Sequence, residues 1–255
     1  MILTIDVGNT QIELGFFKDD RLINSWRIAT GIERTEDEFM MFIRNFLEME
    51  GYSHKNLEAV AISSVVPTVT KRLQKMTRKY LQIDPLVVDH TLNLGGMKIL
   101  YSDAAAVGAD RLCSAVAAYH QFKQAVIIID LGTATTFDVV NGRGEYLGGV
   151  ISPGLETTAW ALYHRAAKLP KISLEFPQTA IGRSTEESMQ VGIMLGAVKM
   201  IDGLVAEITA ELKEKPRVIS TGGLSPLIQP KSASIELFQE HLVLEGLYKI
   251  YQFNK

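Results

Sequence analysis

Apolar positions along the chain switch between two periods, and the switches divide it into two similar halves. The first half opens on Ile2-Leu3-Thr4-Ile5 and continues through runs near 11–18 and 21–28, which predicts three successive strands. Phe39, Phe42, Ile43 and Phe46 then recur at helical spacing and predict an amphipathic helix over 36–49. A strand near 58–63, a helix near 68–81, a short strand near 86–88, a Gly95-Gly96 loop and an alanine-rich helix from Gly108 to Phe122 follow. The second half repeats the order, with strands near 125–130, 134–141 and 145–151 and a helix near 154–167. Val126 to Ile129 is a continuous apolar run, as a strand covered on both faces requires. A loop bounded by Pro170 and Pro177 leads into the longest helical pattern, 184–213, which stops before Pro216. A strand near 217–220, a Gly222-Gly223 turn and a last helix near 244–253 close the pattern. Strand triplets followed by helices predict an α/β protein with two similar mixed sheets flanked by helices. No low-complexity linker separates the halves, and we expect two domains, 1–117 and 118–255.

Each half begins with an acid at the end of its first strand. The units are Asp6-Val7-Gly8-Asn9-Thr10 and Asp130-Leu131-Gly132-Thr133-Ala134, and both run into a second β-rich segment. Glycine lets successive N–H groups turn inward to form a concave anion nest, and threonine hydroxyls add donors to phosphate oxygens. An aspartate cannot grip phosphate directly, because like charges repel, so it fits such a loop only with a cation between them. Asp6 therefore reads as a magnesium-side acid, directly or through water, and Asp130 as a second cation ligand. Asp138, further along the second hairpin, either assists or faces solvent. A single Asp-x-Gly is also a favoured tight turn, but the duplication favours phosphate binding. No Walker loop, G-x-G-x-x-G, G-x-S-x-G or H-E-x-x-H occurs, and the five histidines lack ligand spacing.

Composition narrows the partners. With 47% hydrophobic and 22% charged residues the chain is able to build a full core. A net charge of −3 gives no electrostatic case for nucleic acid or an anionic membrane. No apolar run approaches the roughly 18–20 residues of a membrane span. The single cysteine, Cys113, excludes an internal disulfide framework and suits a reducing compartment. No basic and then apolar leader pattern opens the sequence, and the cytoplasm is the expected location.

Further motifs accompany the two loops. They are Trp26-Arg27-Ile28, Ser64-Val65-Val66-Pro67, Gly108-Ala109-Asp110-Arg111, Gly148-Gly149-Val150-Ile151-Ser152-Pro153-Gly154 and Thr221-Gly222-Gly223. In this order they resemble the type III pantothenate kinases, within the superfamily of actin, sugar and acetate kinases and heat-shock chaperone ATPases. The resemblance covers nearly the whole chain. It implies two duplicated ribonuclease-H-like domains with ATP in the cleft between them, a homodimer, and phosphorylation of pantothenate at the start of coenzyme A synthesis. It assigns Asp110 as general base, and Tyr101, Gly108, Ala109, Asp110, Arg111 and Thr185 to pantothenate, with Thr185 reaching the partner subunit's site. ATP falls to Asp6, Val7, Gly8, Asn9, Thr10, Gln11, Ile12, Glu13, Gly132, Thr133, Gly222 and Gly223. Asp130 matches the ligand of an activating potassium or ammonium ion. The chain departs from the family at Asp103-Ala104, where Asn-Pro is usual and the substrate loop is expected to loosen. It also departs at Ser184-Thr185, where serine keeps the helix-capping role of asparagine.

The residues fit that chemistry. An alcohol acceptor needs a proton acceptor, which Asp110 supplies, and Arg111 offers a fixed cationic fork to a carboxylate or amide. Both phosphate loops lack lysine, so a divalent and a monovalent cation must carry more of the charge neutralisation. Gly192, Gly196 and Gly203 lie near one face of the 184–213 helix with Met189, Ile193 and Met200 beside them. Several such glycines predict close helix approach, either within the chain or between subunits. Two other readings are a small sugar or hydroxy-acid kinase of the same superfamily, and a non-catalytic transcriptional regulator on the same scaffold.

Overall fold

The computed structural model describes residues 1–255. The chain divides into two compact units, Met1–Ala118 together with His241–Lys255, and Tyr119–Glu240. The first contains β1 (Ile2–Val7), β2 (Gln11–Lys18), β3 (Arg21–Ala29), α1 (Glu36–Met49), β4 (Ala59–Ser64), α2 (Pro67–Met76), β5 (Leu86–Val87) and β6 (Lys98–Ile99). Helix α3 (Ala109–Phe122) crosses the division. The second unit contains β7 (Val126–Leu131), β8 (Ala134–Val140), β9 (Glu145–Pro153), α4 (Leu155–Arg165), α5 (Thr185–Gln190), α6 (Gly196–Leu212), β10 (Arg217–Thr221), α7 (Ser225–Ile228) and β11 (Leu237–Phe238). The last helix, α8 (Leu242–Phe253), returns to the first unit.

The two sheets follow one plan. In the first unit the order is β3-β2-β1-β4-β5, with β1 antiparallel to β2 and parallel to β4. In the second unit the strands run β11-β10-β7-β8-β9, with β7 antiparallel to β8 and parallel to β10. The alternating pattern therefore reports a duplicated mixed sheet, as expected. Asp6 lies opposite Glu13 and Ser63; Asp130, in the same place in its own sheet, lies opposite Thr136 and Thr221.

Burial explains the elements. Leu3, Ile5, Ile12, Phe39, Ile43, Leu47, Ile62 and Leu73 are sealed in the first core, between the sheet and helices α1 and α2. Ile127, Ile129, Leu131, Phe137, Ile193, Met194, Val198 and Ile201 form the second core. Thr35 starts α1 with a capping box. Its hydroxyl accepts from the Glu38 N–H at 3.3 Å, while the Glu38 carboxylate accepts from the Thr35 N–H at 2.8 Å. Thr35→Ala is expected to cost about 1 kcal/mol, read as a lower denaturation midpoint at constant slope.

Two differences from the sequence reading have physical causes. The 184–213 helix is interrupted by a π-helical turn at Val191–Leu195, between α5 and α6, while the chain stays helical on both sides of it. The domain expected as 118–255 ends instead at Glu240, because α8 buries Leu242, Leu244, Leu247 and Ile250 in the first unit. Leu244 fills the space beside Gly15 of β2, and Tyr248 stacks on Phe17 with ring centroids 4.3 Å apart.

Candidate active site

In the first unit, β1 delivers Asp6 and the chain turns at once. The Gly8 N–H donates to the Gln11 carbonyl at 3.0 Å, closing the loop. Thr30, buried and distant in sequence, donates its hydroxyl to the Gly8 carbonyl at 2.6 Å and its N–H to the Thr10 carbonyl at 3.0 Å. The loop is thus pinned on both sides, with Asn9 and Thr10 exposed at its tip. Val7 and Ile12 are core side chains, so only their backbones can meet a ligand. Glu13 is engaged by Arg27 at 3.3 Å and by His241 at 3.0 Å.

Asp110 sits in the first turn of α3. Its carboxylate accepts from the Arg111 N–H at 2.8 Å and folds back over Gly108, where an added Cβ would stand 2.4 Å from Oδ1. Burial raises the Asp110 pKa above the usual carboxylate value, and the Arg111 N–H and guanidinium oppose the shift. One turn on, Cys113 is fully buried, and its thiol lies within electrostatic reach of both Asp6 and Asp110. Burial first, and then those two charges, hold the thiol far above its ordinary pKa; a hydrogen bond with Ser63 works the other way. Asp6 and Asp110 thus both act electrostatically on one buried sulfur of the first unit.

Tyr101 is partly exposed in the same unit, in the segment leading to α3. Asp103 caps that segment. Its carboxylate accepts from the Ala105 N–H at 3.0 Å and caps a tight turn over Ala104–Ala106.

In the second unit, Asp130 ends β7 and the Gly132 N–H donates to the Ala134 carbonyl at 3.1 Å. The Thr133 carbonyl accepts from the Gly154 N–H at 3.2 Å and from the Thr157 hydroxyl at 2.7 Å, so the start of α4 buttresses the turn. Gly222 has φ +88° and lies against Asp130; a Cβ there would meet Asp130 Oδ1 at 2.4 Å and the Leu131 backbone at 2.8 Å. Only glycine allows both the left-handed backbone and that approach. Asp130, Gly132, Thr133, Gly222 and Gly223 are thus brought together. Asp138 does not face solvent: it is 1% exposed and accepts from the Tyr146 hydroxyl at 2.6 Å. Thr185 opens α5, whose first turn is capped by the Ser184 hydroxyl accepting from the Glu187 N–H at 3.1 Å.

Sequence reasoning passed over Ser63, Thr30 and Thr157. Only Ser63 left a local signal, as a hydroxyl ending the apolar run Ala59-Val60-Ala61-Ile62. A cavity of about 480 Å³ in the first unit, lined by Lys18, Asp20, Tyr52, Glu58 and Tyr248 among others, contains none of the expected site residues.

Comparison with known proteins matches this arrangement to one family. The type III pantothenate kinase family pattern covers residues 2–207. Type III pantothenate kinases of Geobacter sulfurreducens and Geotalea uraniireducens are 46% and 45% identical over 255 residues, covering all of this chain and 100% and 99% of theirs. Among solved structures, the ROK family glucokinase of Streptomyces griseus, in complex with glucose and AMPPNP, superposes with a TM-score of 0.55 at 15% identity. That match covers 97% of this chain and 98% of the glucokinase, and shows a shared fold. The chain belongs to the type III pantothenate kinase family.

Proposed function

We propose that the protein transfers the γ-phosphoryl group of ATP to the primary hydroxyl of pantothenate, giving 4'-phosphopantothenate and ADP in the first step of coenzyme A synthesis. The observation that carries this reading is the Asp110 carboxylate, half-buried beside Arg111 and acting with Asp6 on the buried Cys113 thiol. The membership just described selects pantothenate over the sugar-kinase and regulator readings. The hydroxyl oxygen forms a bond to the γ-phosphorus as its proton passes to Asp110, and the bond from that phosphorus to ADP breaks. Tyr101, Gly108, Ala109 and Arg111 hold the acceptor, Arg111 through its cationic fork. Asp6, Val7, Gly8, Asn9, Thr10, Gln11, Ile12 and Glu13 are assigned to ATP, with Gly132, Thr133, Gly222 and Gly223.

Asp6 and Asp130 are hard oxygen donors suited to magnesium and to potassium or ammonium respectively. Glycine at 222 keeps a side chain off Asp130 Oδ1, which fits such use. When bound, these cations neutralise the phosphate oxygens that no lysine of the loops reaches.

We also assign a homodimer. Gly192, Gly196 and Gly203 are exposed, and an added Cβ at Gly192 or Gly203 would touch nothing. Ile151, Trp160, Tyr163 and Ile181 of the same unit are exposed apolar side chains. Thr185 would then complete the partner subunit's pantothenate site. No helix is long and apolar enough to cross a membrane, and we place the enzyme in the cytoplasm, free of nucleic acid.

A coupled ADP-release assay tests the reading. Turnover is expected with pantothenate, magnesium and potassium, and not with hexoses, glycerol or acetate. Sodium alone should not support it, and dilution to monomers should abolish it. ADP release with a sugar but not with pantothenate would overturn the assignment.

A further inference from the structure

Ser63 is a polar residue in a strand that otherwise carries only small and apolar side chains, and it is 0% exposed. Its neighbour Ser64 has a structural task. Ser64 accepts from the Val66 N–H at 3.0 Å and from the Thr70 hydroxyl at 2.7 Å, fixing the start of α2. Ser63 points elsewhere: its hydroxyl donates to Asp6 Oδ1 at 2.7 Å, across the β1–β4 pair. A serine has one proton to give. That proton is on Asp6.

We propose that Ser63 is a positioning residue for phosphoryl transfer, orienting the Asp6 carboxylate. The Ser63 hydroxyl fixes the direction of Oδ1 and couples the carboxylate to β4. Loss of this donor would relax the orientation of the carboxylate, and with it the alignment of nucleotide and acceptor. The proposal rests on the kinase reading only for its kinetic consequence; the link from Ser63 to Asp6 stands on geometry.

The test is a double-mutant cycle on the full chain: native, S63A, D6A and S63A/D6A, with S63C as a variant close in volume that keeps a weak donor. Affinity for ATP with magnesium is read by calorimetry, and kcat by ADP release. S63A is expected to lower kcat by about tenfold or more, the effect of losing a hydrogen bond to a charged group, with the KM for pantothenate unchanged. S63C should fall between native and S63A. In the D6A background, where the acceptor is gone, S63A should change the affinity for ATP no further. Equal and additive losses in both backgrounds, or S63C and S63A with native kcat, would overturn the proposal. If native protein binds ATP but releases no ADP with pantothenate, the kinase reading fails, while the affinity cycle still decides the role of Ser63. Should S63A not fold, S63C against native, each with and without D6A, gives the same decision.

Discussion

Replacing Asp110 with asparagine should lower kcat by about 10²–10⁴-fold, the range that a positioned general base contributes. The change keeps the shape of the side chain and its acceptor oxygen for the Arg111 N–H, but it cannot take a proton. Stability should not fall with activity. Burial raises the Asp110 pKa, so its contribution to stability is full below the unfolded-state pKa and is lost as pH rises through the higher folded value. At neutral pH the native protein therefore carries a poorly solvated charge that D110N lacks, and the variant should melt no lower. The same shift sets the pH profile. Activity of the native enzyme should rise with pH through a value above the ordinary aspartate range, as Asp110 becomes able to accept the proton. That limb should be absent from the residual activity of D110N. Stopped assays across pH, with thermal melts of both proteins, check all three statements. Native turnover in D110N would end the assignment of Asp110 as base.

Gly246→Ala should damage both stability and catalysis. In α8, a Cβ at position 246 would stand 1.9 Å from the Cys113 carbonyl oxygen, 2.4 Å from its carbon and 2.9 Å from its Cα. Every neighbour is backbone, so no side-chain rotation relieves the clash, and the two helices must separate. Alanine gains about 1 kcal/mol of helix propensity over glycine. Overpacking of this kind costs typically about 1–3 kcal/mol and occasionally more, and with backbone on the receiving side we expect the upper end to prevail. At roughly 2–4 °C per kcal/mol for a chain of this size, Tm should drop by several degrees. Because α3 carries Asp110 three residues before Cys113, its displacement should also cost turnover, by up to about a hundredfold for a shift near 1 Å. A melt and an ADP-release assay on G246A suffice. An unchanged Tm would mean that α3 and α8 pack more loosely than described.

Much of the fold was written in local pattern. The apolar runs in 2–7, 11–18 and 21–28 and their repetition after residue 125 gave both strand triplets, because a strand covered on one face or both must carry apolar side chains there. The two acid-glycine turns were legible for the same reason, since a tight loop is made by its own few residues. What escaped reading depends on distant partners. Thr30 looks like any threonine until it meets the Gly8 carbonyl, 22 residues away. Ser63 is one hydroxyl in a buried strand until Asp6 lies beside it, 57 residues earlier. The π-helical turn at 191–195 left no mark because its residues keep a helical pattern. The apolar stripe of α8 shows that the helix is buried but not which sheet it covers. Only the structure assigns Leu244 to the neighbourhood of Gly15.

That assignment has a consequence for how the protein is made. Residues 119–240 form their unit from an uninterrupted stretch, while the other unit draws on residues 1–118 and 241–255. During synthesis the first sheet must therefore wait with part of one face uncovered until residues 241–255 arrive, because Leu242, Leu244 and Leu247 are its missing cover. Residues 119–240 have all their own partners as soon as they are made, so the two units differ in what each needs from the ribosome.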